Sequence, residues 1–84
     1  MYFDAALRIH RRLTDEQVSE AIFLVREVNA GFESIEHRAG YSLLFVVVQS
    51  REQLAQLILR LRTYLGYPNI QRLYQWNDEV AAMA

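Results

Sequence analysis

Histidine, aspartate, arginine and tyrosine are the residues of this 84-residue chain whose types and spacing could do chemistry. A metal centre needs several nitrogen, oxygen or sulfur donors converging on one point. The chain has two histidines, His10 and His37, and no cysteine. In the arrangement expected below, His10 ends the first strand and His37 lies near that strand's opposite end. Their expected separation is then roughly 20 Å at strand rise. No metal and no cofactor are therefore expected. Nucleophilic catalysis has no Ser–His–Asp spacing or nucleophile elbow to use. Asp4 is the one acid on the first strand, and it is expected near Asp78 and Tyr41 at one sheet end. A second copy could bring two Asp4 carboxylates together to bind a divalent cation. The plainer reading is a pair of solvated surface acids.

The basic residues, 9 against 10 acidic, are all arginine. Forked guanidinium groups suit carboxylate and phosphate partners. These arginines are scattered along the chain rather than clustered, and codon usage in a GC-rich genome is the favoured account of the choice. With a net charge of −1, the chain lacks the basic excess that supplies most nucleic-acid affinity. A nucleic-acid partner is not expected.

The elements that must position these residues follow from periodicity. "YFDAALRIH" alternates, with Phe3, Ala5, Leu7 and Ile9 on one face and Tyr2, Asp4, Arg8 and His10 on the other, the mark of a half-buried strand. Thr14 and Gln17 form a capping-box pattern. Val18, Ala21, Ile22, Val25 and Val28 then recur at helical spacing, predicting a helix to about Asn29 with Gly31 as its terminator. Residues 32–38 read as a short polar edge strand, turning at Ala39-Gly40. "YSLLFVVV" reads as an apolar strand. Ser50 and Gln53 repeat the capping signal, and Leu54, Leu57, Ile58, Leu61 and Leu65 form the stripe of a second helix, stopped by Gly66 and Pro68. "NIQRLYQW" reads as a last strand, followed by a short tail helix or a frayed tail.

This order predicts one α+β domain over 1–84, a ferredoxin-like βαββαβ sandwich. Both helices pack on one face of a four-stranded antiparallel sheet. The third strand is central and apolar on both faces, so one row of large side chains is left uncovered. Leu43, Phe45 and Val47 are expected inside, and Leu44, Val46 and Val48 on the open face. Contiguous exposed apolar patches mark interaction sites. The expected interface is Leu44, Val46 and Val48 with Tyr2, Tyr74 and Trp76. Phe23 and Leu59, off the helix stripes, are candidates for a second contact, and the tail helix is the alternative cover.

Known families with this fold were compared on their motifs. Metal-carrying domains use a cysteine pair, and acylphosphatases a glycine-rich loop with an arginine; "HRRLTDEQ" has arginines without the glycine. "RAGYSLLFVV" resembles the third-strand signature of RNA-recognition motifs through Arg38, Gly40, Tyr41 and Phe45, with Tyr2 on the first strand. Leu43 stands where a second stacking aromatic belongs. The later half, from Arg51 through Ile70, Arg72 and Trp76, resembles in layout the small dimeric proteins of the Cas2 and VapD group. That resemblance implies a dimer and, in some members, a metal-dependent ribonuclease with an aspartate near the end of the first strand, where this chain offers only Asp4.

The function expected is a small non-catalytic interaction module, a homodimer open to a further protein partner and acting as regulator, adaptor or inhibitor. The alternatives are a Cas2/VapD-like ribonuclease and an RNA-binding module. The longest unbroken apolar run, "LLFVVV", is far too short for a membrane span, and no signal-peptide core follows the amino terminus. The expected location is cytoplasmic.

Overall fold

Thr14 sits in extended backbone and opens α1 (Asp15–Glu27) with a complete capping box. Gln17 N donates to Thr14 Oγ1 at 3.2 Å, and Thr14 N donates to Gln17 Oε1 at 3.0 Å. In the computed structural model, which describes residues 2–66 and the backbone of 70–75, α1 is the first of two helices. It ends earlier than its apolar spacing predicts. Asn29, not Gly31, takes the left-handed conformation, with φ 60°. Its N–H donates to Arg26 O at 2.9 Å and the Ala30 N–H to Val25 O at 3.0 Å, the paired bonds of a Schellman stop. Asparagine is the residue after glycine that best tolerates this backbone, which frees Gly31 to begin a strand.

The strands are β1 (Phe3–Ile9), β2 (Gly31–Arg38) and β3 (Tyr41–Val48). β3 pairs antiparallel with both others. The backbone of β4 (Ile70–Gln75) lies antiparallel to the far side of β1, in the order β2-β3-β1-β4. α2 (Arg51–Leu65) joins β3 to β4. Ser50 caps it by accepting from Gln53 N at 3.1 Å, and Gly66 ends it with φ 93°.

Gln53 does more than complete a cap. Its Oε1 accepts from Gln49 N at 2.6 Å, and its Nε2 donates to Val28 O at 2.8 Å. One side chain thus ties the start of α2 to the end of α1.

Both helices cover the same face of the sheet. Ala21, Val25 and Val28 from α1 and Leu54, Leu57, Leu61 and Leu65 from α2 close over Ala5, Leu7 and Ile9 of β1 and Leu44, Val46 and Val48 of β3. The row of β3 expected outside is therefore the core row. Leu44, Val46 and Val48 are fully buried, and Leu43, Phe45 and Val47 lie on the other face.

The reversal has a physical cause. β1 alone fixes which side is apolar, and register places Leu7 opposite Leu44 and Ala5 opposite Val46. The core row must then include Ser42, a polar residue that makes it look the weaker candidate. Ser42 is fully buried, but its Oγ accepts the Leu13 N–H at 3.1 Å and lies 3.1 Å from His37 Nδ1. With its hydroxyl satisfied, burial costs little.

β2 contributes through a bulge. Phe32 faces Val46 and Ser34 faces Phe45, so Glu33 is an extra residue between them. The bulge resets the alternation, and Phe32 and Ile35, three apart in sequence, both pack on the core.

Candidate functional site: the open face of the sheet

On the face that no described helix covers, the central strand presents Leu43, Phe45 and Val47, each partly exposed. β1 adds Asp4, Ala6 and Arg8, which stand opposite Val47, Phe45 and Leu43. Ala6 is fully buried yet belongs to this face rather than to the helix-side core. β2 adds Ser34, Glu36 and Arg38 at the levels of Phe45, Leu43 and Tyr41. The centre is apolar and the rim is charged.

The charges are not evenly spread. At one end, the Arg8 guanidinium lies 4.1 Å from the centre of the Tyr41 ring, a cation–π contact. Arg8 Nε is buried without a hydrogen-bond partner. Arg38 stands beside Tyr41, with Nη2 at 3.5 Å from Glu36 Oε2. Across the middle of the face and on toward Asp4, the residues Asp4, Glu33, Ser34, Glu36 and Phe45 line an open depression of about 270 Å³.

The expected site residues fall as follows. Asp4 lies on this face opposite Val47, at the far end from Tyr41, because Tyr41 pairs with Arg38 near the close of β1. The expected Asp4–Tyr41 neighbourhood is thus corrected, and Asp78 lies outside the described residues. His37 is also not where it was expected. It stands opposite Ser42, as does Ile9, so it shares the end of the sheet at which His10 follows β1. Two strand spacings, about 10 Å, separate these positions rather than the length of the sheet. His37 Nδ1 is engaged with Ser42. Among the described residues, no group of three or more metal-capable side chains stands together.

Leu44, Val46 and Val48 cannot form an interface from inside the core, and Leu43, Phe45 and Val47 take their place on the open face. Tyr2 is 63% exposed. The side chain of Tyr74 and all of Trp76 lie outside the described residues. Phe23 and Leu59 are exposed on the helix side, where Leu24, Leu59, Arg60, Thr63 and Tyr64 line a second, shallow groove. Sequence reasoning set Arg8 on the outward row of β1 but left it out of the expected interface, and it missed Glu33 and Arg38 as parts of the face. The signal was present in β1, whose charged row of Asp4 and Arg8 marks the face that stays wet.

This arrangement defines a small α+β domain of ferredoxin-like architecture, with two helices on one side of an antiparallel sheet. No family model matches the chain, and no curated protein matches it. Solved structures do. An ACT domain from a GTP pyrophosphokinase of Chlorobium tepidum superposes with a TM-score of 0.65 at 19% identity, over 87% of this chain and 100% of that one. A homoserine dehydrogenase from Thiobacillus denitrificans superposes with a TM-score of 0.68 at 8% identity, over 87% of this chain. The chain spans 17% of that enzyme's length. At these identities the likeness is one of fold.

Proposed function

We propose that the chain is a regulatory interaction module that self-associates through the open face of its sheet. It acts in the cytoplasm on another protein as regulator, adaptor or inhibitor. The observation that carries this reading is the row Leu43, Phe45 and Val47 in the middle of a face that no described helix covers. Moving such side chains from water to an apolar surface is worth up to about 1.5–3 kcal/mol each. The regulatory part draws on the fold: an ACT domain is a small regulatory ligand-binding unit, and one from a GTP pyrophosphokinase shares this architecture. Within the reading the sheet is four-stranded, with β4 closing its second edge, and Tyr2, Tyr74 and Trp76 extend the contact.

Sedimentation equilibrium of the full chain over a concentration series tests the proposal. A reversible monomer–dimer equilibrium is the expected result; a monomer at every concentration contradicts it. The ribonuclease alternative has one supporting observation, the position of Asp4 beside Glu33 and Glu36 around the acidic depression. Mg²⁺- or Mn²⁺-dependent RNA cleavage that disappears in Asp4→Ala would move the assignment to that enzyme class.

A further inference from the structure

The open face carries opposite charges at its two ends, Asp4 at one and Arg8 at the other. The Ala6–Phe45 pair marks the middle of the face. Asp4 lies two residues before it and Arg8 two residues after, each about 7 Å away along β1. β3 runs the other way, so Val47 accompanies Asp4 and Leu43 accompanies Arg8. Arg38 stands at the same end as Arg8, and Glu33 lies on the acidic side. Glu36, at the level of Leu43, pairs with Arg38 at 3.5 Å, so these two charges cancel and Arg8 carries the net charge of the basic end.

We propose that the occupant of this face is a second copy of the chain with its strands reversed. The two-fold axis runs across the strands at the Ala6–Phe45 level, so that Asp4 of each copy meets Arg8 of the other. The proposal rests on the reading that the face self-associates, and adds the orientation. Two sheets packed face to face have two such axes available. An axis along the strands lays like end over like end, with acid above acid and base above base. An axis across the strands reverses the partner. Each β1 then lies over its counterpart with Asp4 above Arg8, Phe45 meets Phe45 near the axis, and Val47 covers Leu43.

Like charges facing each other across an interface disfavour one register, and opposite charges select the other. Aligned sheets sit about 10 Å apart, a gap that an arginine and an aspartate from opposite sides can bridge. Arg8 is prepared for this role because Tyr41 holds its guanidinium in place at 4.1 Å. A planar fork fixed in advance loses less freedom when it takes a carboxylate.

The test uses the full chain and its variants Asp4→Arg and Arg8→Asp, with folding checked by circular dichroism and mass by sedimentation equilibrium. Each variant alone sets like charges against each other twice and is expected to weaken dimerisation at least tenfold. An equimolar mixture of the two should restore the dimer, because each chain then supplies the charge that the other has lost. Single variants that dimerise like the wild type, or a mixture that stays monomeric, overturn the reversed orientation. A monomeric wild type instead removes the underlying reading of self-association. The second measurement avoids altering Arg8. The chain has no cysteine, so Phe45→Cys introduces a single thiol near the axis. A short bismaleimide should link two copies through it, whereas a wild type that dimerises alongside a variant that does not cross-link contradicts the axis.

Discussion

Asn29 shows how far one residue can set a boundary. Its φ of 60° is a conformation that costs other L-residues roughly 1–2 kcal/mol. Asn29→Gly should therefore leave stability nearly unchanged, and Asn29→Val should lower it by about 1–2 kcal/mol in urea denaturation. Equal losses in both variants would mean that the asparagine side chain, not its backbone, ends the helix. Ser42 is the second such residue. Its Oγ is the acceptor for the buried Leu13 N–H, so Ser42→Ala leaves a donor unpaired and should cost about 1–3 kcal/mol. A neutral Ser42→Ala would show that the loop after β1 finds another acceptor.

Among the elements, the central strand carries the strongest contrast between neighbours. Val46 is fully buried under α1 and α2, and Val47 faces away from them. Val46→Glu puts an unpaired carboxylate into the core. That should cost more than ~4 kcal/mol, enough to unfold a chain whose whole stability is about 4–12 kcal/mol by size. Val47→Glu should keep its fold, as read by circular dichroism and thermal melting. The reverse pattern would mean that the strand is out of register by one residue. Gln53 makes a milder prediction: Gln53→Ala removes its bonds to Gln49 N and Val28 O and should cost about 1–2 kcal/mol.

The same strand shows what the sequence could and could not convey. Both helices, their N-caps and the order of elements along the chain were legible from period and capping residues, because each is a local signal; the Asn29 stop of α1 was not. The faces of β3 were not. Alternation shows that two rows exist, and the larger row, Tyr41, Leu43, Phe45 and Val47, looks like the inner one. The choice was made by register with β1 and by partners for Ser42 that lie at positions 13 and 37. The bulge at Glu33 was equally hidden, since only pairing with β3 shows that Phe32 and Ile35 share a face. Asp4 and Arg8 were visible as an outward row of β1. Their grouping with Arg38 and Glu33 required the sheet order.

At the scale of the whole molecule, one side of the sheet is sealed by helices and the other presents an apolar centre between charged ends. No described helix is long and apolar enough to cross a membrane. The direct test is the mass in solution, by light scattering, of the wild type and Val47→Glu at the same concentration. The account predicts a wild-type dimer and a folded Val47→Glu monomer. A wild type that is monomeric, or a Val47→Glu chain that remains a dimer, would contradict self-association through the open face.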